Sequence, residues 1–128
     1  MTNIYLIVMA VAFIYILSRR MIISKDVKNV TAEQTYKMMK ENKDLVIIDV
    51  RSKQEFKAGH IPGAKSLPVN ELDSRIGELE RFKEKPILIH CASGGRSPGA
   101  VRILTKHGFK NIYHMNLGLL KWNYELKR

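Results

Sequence analysis

Thiols are all but missing from this 128-residue chain, whose single cysteine is Cys91. One cysteine excludes an internal disulfide, a CxxC redox pair and a zinc site built on several thiolates. Acidic residues are also scarce, 12 against 22 lysines and arginines, for a net charge of +10 with histidines neutral. That balance favours an anionic partner: nucleic acid, a membrane surface or a small anion. The basic residues are not interleaved with aromatics in the manner of a single-strand binder, so nucleic acid is not expected as a partner. Internal repeats and low-complexity segments are absent. With 45% apolar and 27% charged residues, the chain can bury the core of one domain plus a short appendage, and wholesale disorder is excluded.

Charge is missing altogether from residues 1–18, and residues 4–17 read IYLIVMAVAFIYIL, fourteen apolar residues without a break. As a helix, residues 1–18 would be about 27 Å long, close to the hydrocarbon thickness of a bilayer. No lysine or arginine precedes the run, and Ser18-Arg19-Arg20-Met21 follows it, unlike a cleaved secretory signal. Tyr5 and Tyr15 lie near its ends, where amphipathic rings favour the headgroup level. The run has no polar face to leave in water, which argues against a helix docked on the domain. The sequence therefore predicts a transmembrane anchor over residues 1–18 and a basic juxtamembrane linker over 19–29. A globular domain then fills 30–128. Arg19, Arg20, Lys25 and Lys28 all follow the anchor. By the positive-inside rule the N-terminus lies outside and the domain lies on the cytoplasmic side of the cell membrane, in a single pass. The same four cations would meet anionic headgroups.

Beyond the linker, short helical and strand patterns alternate. Thr31 with Gln34 is a capping box that opens a helix through Met38, Met39 and Lys40. Residues 45–50, LVIIDV, form an apolar run of the kind found in parallel strands buried on both faces. Ser52 with Glu55 is a second capping box, starting a short helix that ends near Gly59. Pro62 and Gly63 make residues 60–64 a turn. Asn70 is placed to cap a helix presenting Leu72, Ile76 and Leu79. Residues 87–90 read as a second buried strand running into Cys91. Ser97 at the N-cap and Pro98 at the first helical position start another helix, with Val101, Ile103 and Leu104 inward and His107-Gly108 as its stop. Residues 111–114 read as a strand and 119–126 as a closing helix. The alternation predicts an α/β domain: an open parallel sheet with helices on both faces.

The chemistry belongs to Cys91-Ala92-Ser93-Gly94-Gly95-Arg96-Ser97. This loop joins the carboxyl end of a strand to the amino end of a helix, where open α/β sheets bind ligands. Two glycines let successive N–H groups converge as a nest for an anion, and the helix beginning at Pro98 adds its positive end. Arg96 supplies a permanent charge. A cysteine placed here has its pKa drawn from about 8.5 toward roughly 3.5–7.5, which makes it a reactive thiolate at neutral pH. The alternative is a small buried hydrophobe at a strand end. The glycine pair, the arginine and the helix start, all within seven residues, favour the thiolate.

From these residues the chain resembles the rhodanese-like domain family over nearly everything after the anchor. The matching segments are IIDVR at 47–51, EF with AGHIPGA within 55–64, CASGGRS at 91–97, and GF-N-IY at 108–113, with Gly118 and Trp122 beyond. The resemblance implies a rhodanese-like fold and sulfur transfer. Cys91 would take sulfane sulfur from a small sulfur-containing anion or a persulfide donor, carry it as a persulfide, and pass it to a thiol acceptor, small or protein. It places residues Ala92, Ser93, Gly94, Gly95 and Arg96 as the cradle of the anionic persulfide, and it requires no cofactor beyond that transient group. Cysteine-based phosphatases resemble one another in placing five residues between cysteine and arginine; here there are four, a ring better suited to a sulfur atom or thiosulfate. A phosphatase is thus the lesser enzymatic alternative, and a non-catalytic binding or sulfide-sensing module at the membrane is the other. Two positions depart from the family pattern. Ala92 stands where some members have a basic residue, and Leu117 stands where a second glycine is common.

His90 is next to Cys91, but adjacent strand residues point to opposite faces, so His90 is expected to pack away from the thiol. His60 is read as a turn-stabilising residue, and His107 and His114 fall at a helix end and in a strand. Four scattered histidines and one cysteine have no metal-ligand spacing, so no metal is assigned. Asp49 and Arg51, ending the first buried strand, are read as braces of the crevice first and as active-site support second. Arg96 has two open roles, contact with the anion or a brace to an acid the sequence does not identify.

Overall fold

The computed structural model describes residues 3–25 and 27–128, leaving aside the side chains of residues 19–25. Five strands, β1 Val27–Val30, β2 Val46–Asp49, β3 Lys65–Ser66, β4 Ile87–His90 and β5 Ile112–Met115, form one sheet in the order β1-β5-β4-β2-β3. Every pairing is parallel. Helices α1 Ile4–Lys25, α2 Ala32–Glu41, α3 Lys53–Ala58, α4 Val69–Leu72 and α5 Ser97–Lys106 complete the chain together with 3₁₀ segments at Ile76–Phe82 and Gly118–Lys121. Parallel pairing demands a crossover between strands, and the helices supply it.

The two central strands are buried along their whole length, which is why they lack the alternation of a half-exposed strand. Their side chains divide by parity. Val46, Ile48 and Val50 with Ile87, Ile89 and Cys91 meet Ala100 and Leu104 of α5. Ile47 and Leu88 meet Ala32, Tyr36 and Met39 of α2, together with Trp122 and Tyr124. Helices therefore cover both faces, as the alternation predicts. Both capping boxes form: Thr31 and Gln34 exchange bonds at α2, and Ser52 and Glu55 at α3. Gly108 ends α5 with φ 85°.

Several expectations need correction. Among the described residues no helix is long and apolar enough to cross a membrane, so the transmembrane span expected over residues 1–18 is not found. Helix α1 runs from Ile4 to Lys25, and its uncharged part up to Ser18 rises about 22 Å against a hydrocarbon core of about 30 Å. Of the basic flank, the side chains of Arg19, Arg20 and Lys25 lie outside the described residues. Lys28 sits in β1, its Nζ 5.6 Å from the centre of the Tyr113 ring. The stretch read as a linker carries α1 to Lys25 and the edge strand β1. That strand, VKNV, has too few residues for alternation to register, and the two-residue edge strand β3 escaped for the same reason. Asn70 does not cap a helix: α4 starts after Pro68 with no side-chain cap, and Leu72 and Leu79 are buried from two separate short helices. The closing helix stops at Lys121. Trp122 turns extended (φ −79°, ψ 114°), and Lys127 then bridges back to His60. Trp122 and Tyr124 pack their rings on Tyr36 instead, a burial that a continuing helix would not achieve.

Ile89, fully buried in the central strand, should be costly to truncate. We expect Ile89→Ala to lower unfolding free energy by about 3 kcal/mol in a urea titration. Leu120→Ala, at a side chain 74% exposed, should change it by less than about 0.5 kcal/mol.

Candidate active site

Cys91 follows β4 directly and shares the α5 face of the sheet. It is fully buried, while Ala92 and Gly94 are half-buried and Ser93 and Gly95 are exposed. The loop curls round the sulfur: the Gly94 N–H donates to Cys91 Sγ at 3.1 Å, and Ser97 Oγ lies 3.4 Å from it. Burial pushes the Cys91 thiol up. Hydrogen bonding with the Ser97 hydroxyl and from the backbone N–H groups of Arg96, Ser97 and Gly94 outweighs it, and the net shift is downward. Hydrogen bonding to the charged form thus exceeds desolvation, and the sulfur is held toward its thiolate form.

Two glycines make this curl possible. Gly94 has φ 96°, and a Cβ there would collide with the Asn116 carbonyl. Gly118 has φ 64°, and its Cβ would stand 2.6 Å from the Cys91 carbonyl oxygen. The close approach is used: the N–H groups of Leu119 and Leu120 donate to the carbonyls of Cys91 (3.0 Å) and Ala92 (2.9 Å). Gly95 has open space around its Cα and an ordinary φ.

Arg96 braces the loop. Its Nη1 and Nη2 donate to Glu55 Oε1 (2.6 Å) and Oε2 (2.9 Å), so the acid missing from the sequence reading is Glu55. The Arg96 hydrogen bonds dominate Glu55 and hold its pKa down at about 2, against the opposing effect of burial and with help from Ser52. Asp49 and Arg51 lie on the other face. Arg51 Nη2 donates to Asp49 Oδ2 at 2.7 Å and to the Gly59 carbonyl at 2.7 Å, tying β2 to the end of α3. His90 pairs with Asp49 across the sheet and points its Nε2 to within 3.9 Å of Asp49 Oδ2, away from the thiol. Burial lowers its pKa.

His60 stacks on Phe56 and reaches the Phe56 carbonyl with Nδ1 at 2.8 Å. His107 Nε2 meets Asp73 Oδ1 at 2.8 Å. Among the described residues, no group of histidine, cysteine and carboxylate side chains is arranged to hold a metal ion.

Two participants escaped the sequence reading. Ser97 is not an N-cap: Arg96 occupies that position without a side-chain bond, and the Ser97 hydroxyl turns to Cys91 instead. His114, also buried, brings Nε2 to 2.6 Å from Ser97 Oγ. The available signal was parity, since His114 is two residues from buried Ile112 and beside Ile89 in register.

The rhodanese-like domain family matches residues 31–125. The chain belongs to that family. As a rhodanese-like protein it is similar over 99% of its length to the uncharacterized protein YqhL of Bacillus subtilis, at 29% identity and 98% coverage of that protein. It is 33% identical over 95 residues to the thiosulfate sulfurtransferase GlpE of Pseudoalteromonas translucida, covering 74% of this chain and 88% of that one. The crystal structure of a rhodanese-like domain protein from Staphylococcus aureus superposes with a TM-score of 0.71 at 29% identity, covering 78% of this chain and 96% of that one. Cys91 thus stands at the active-site position of a rhodanese-like fold.

The backbone stitch yields a sharp contrast between glycines. Gly118→Ala should cost about 2 kcal/mol or more in stability and slow alkylation of Cys91. Gly95→Ala should leave both within about 0.5 kcal/mol of the parent. Denaturant melts and iodoacetamide kinetics measure the two effects.

The Glu55–Arg96 pair yields a pH dependence. A carboxylate with its folded pKa depressed stabilises the fold fully above its unfolded value. That contribution is lost as pH falls from about 4.5 to about 2. Glu55→Gln should flatten this part of the stability-against-pH curve, measured by urea midpoints across that range.

Proposed function

We propose that the chain is a sulfurtransferase working through a persulfide on Cys91. The observation that carries this reading is a buried sulfur ringed by donors, with the Gly94 N–H at 3.1 Å and Ser97 Oγ at 3.4 Å, at the family's active-site position. With thiosulfate as donor, the Cys91 thiolate attacks the sulfane sulfur, a new S–S bond forms, and the bond to the sulfite group breaks with its electron pair. Sulfite leaves and the persulfide anion remains in the nest of N–H groups at residues 92–96. An acceptor thiolate then attacks the outer sulfur, takes it as a new persulfide, and returns Cys91 as thiolate. No second cysteine competes for that step, so the acceptor comes from outside the chain.

The geometry supports this reading over the phosphatase alternative. Both outer nitrogens of Arg96 are engaged by Glu55, which leaves the loop's own amides, and not a guanidinium, to receive an anion. Four residues separate Cys91 from Arg96, and the ring they close is small.

We also propose that α1 holds the domain at the cytoplasmic face of a membrane, with the N-terminus outside. Apolar side chains surround the helix, from Tyr5 at 79% exposed to Leu17 at 42%, so lying flat would leave half of them in water. End-on insertion buries all of them where the bilayer thins locally.

Intact mass spectrometry tests the chemistry. Thiosulfate or a small persulfide should add the mass of one sulfur atom to the protein, a thiol should remove it, and Cys91→Ala should take up none. Failure of the parent protein to take up sulfur would leave the binding or sensing module as the reading, and turnover of an aryl phosphate without sulfur uptake would establish the phosphatase. For α1, the full chain should float with anionic lipid vesicles in high salt. A chain lacking residues 1–20 should stay in the soluble fraction, and flotation of that shorter chain in high salt would overturn the membrane role of the helix.

A further inference from the structure

The cradle is not complete at Ser97. Ser97 Oγ is fully buried and has two neighbours, Cys91 Sγ at 3.4 Å and His114 Nε2 at 2.6 Å. A hydroxyl has one hydrogen to give, so it donates to one neighbour and must accept from the other. Whichever way His114 presents Nε2 therefore decides which way Ser97 points. If Nε2 is bare, Ser97 donates to it and turns an oxygen lone pair on the sulfur, which then has to keep its own proton. If Nε2 carries the hydrogen, Ser97 accepts from it and donates to the sulfur, which suits a thiolate.

His114 lies on the cysteine's face of the sheet, one strand away, between Ile89 of β4 and Asn29 of β1 in register. Its companion on that face of β5 is the buried Ile112, so packing alone would be served by an aliphatic residue. Burial lowers the His114 pKa, so the ring is neutral at physiological pH and its tautomer is set by the hydrogen bonds it makes.

We propose that His114 is a positioning residue for Cys91: its Nε2–H donates to Ser97 Oγ and turns the Ser97 hydroxyl hydrogen onto the sulfur. The three side chains then form one directed chain, His114 to Ser97 to Cys91, that favours the thiolate before attack. After sulfur transfer the same chain holds the inner sulfur of the persulfide, while the loop amides take the outer one. This inference rests on Cys91 being the sulfur carrier, but its direct readout is the ionisation of the thiol, which does not require any sulfur donor.

The experiment is the pH dependence of iodoacetamide alkylation of the full chain, with no sulfur compound present. His114→Phe and Ser97→Ala should each move the midpoint up by about one pH unit, a roughly tenfold slower reaction below the midpoint, as expected for a lost hydrogen bond to a charged group. The double variant should be no slower than Ser97→Ala alone, because His114 acts only through Ser97. His114→Gln, whose side-chain amide nitrogen falls near the same place, should recover most of the parent midpoint. An unchanged midpoint in a folded His114→Phe protein would overturn the proposal, as would a further shift when it is added to Ser97→Ala. Should the phenylalanine variant not fold, nitrogen-15 NMR of the parent protein decides. A hydrogen on Nε2 supports the chain, and a bare Nε2 sinks it. A parent protein that shows the coupling but takes up no sulfur would refute the sulfurtransferase reading and leave this inference intact.

Discussion

The backbone approach of residues 118–120 to residues 91 and 92 is the constraint on which the cradle depends. The Cys91 and Ala92 carbonyls leave the end of β4 with no strand partner of their own. They are satisfied by the N–H groups of Leu119 and Leu120, and that contact is possible only because position 118 has no Cβ and tolerates φ 64°. With those carbonyls turned outward to the tail, the next amides turn inward, and one of them, from Gly94, reaches the sulfur. A segment far along the chain thus sets the orientation of the loop's dipoles. The tail is in turn anchored by Trp122 and Tyr124 against Tyr36 on the opposite face of the sheet, so packing there is coupled to geometry at the thiol.

The parallel sheet also separates two kinds of electrostatics. On the α2 face, Asp49 and Arg51 form a buried ion pair with His90 beside it, and Arg51 clamps the Gly59 carbonyl. Such a pair is expensive to break and contributes little net stability when whole; its effect is to fix where β2 ends and α3 turns. On the α5 face, the groups that hydrogen-bond to the sulfur are dipoles. Arg96, the one cation within the loop itself, has its charge balanced by Glu55. A thiolate stabilised by dipoles fixed in advance needs little reorganisation when its charge moves outward onto a second sulfur, which is what a persulfide requires.

The sheet, both capping boxes and the loop were legible because each rests on local chemistry: runs of β-branched residues, a serine or threonine three residues before an acid or amide, glycines next to a helix start. The edge strands were not, since VKNV and Lys65-Ser66 hold their places through pairing with β5 and β2 and carry little pattern of their own. Ser97 was misassigned for an instructive reason. A serine before a proline satisfies every local rule for an N-cap, and only the fold reveals that Cys91 competes for its hydroxyl. Glu55 was found as a capping residue and missed as the partner of Arg96, forty-one positions away, because sequence spacing says nothing of contacts made through a crossover. The fourteen apolar residues settle the character of α1, but among the described residues they do not make a helix long and apolar enough to cross a bilayer.

Burial of Cys91 bears on who can discharge it. Its side chain is fully buried, whereas Ser93 and Gly95 of the same loop are exposed. An acceptor thiol approaching from outside meets the loop before it meets Sγ. A sulfur added to Cys91 lies beyond the buried Sγ, so in the proposed reaction the outer atom is the more accessible one and the inner atom is shielded. Attack at the inner sulfur would give a mixed disulfide and release hydrosulfide, a dead end for transfer. Attack at the outer sulfur moves the atom onward. The same depth that hides the thiol therefore selects between two chemically similar displacements, and it does so by position alone, without a residue assigned to the choice.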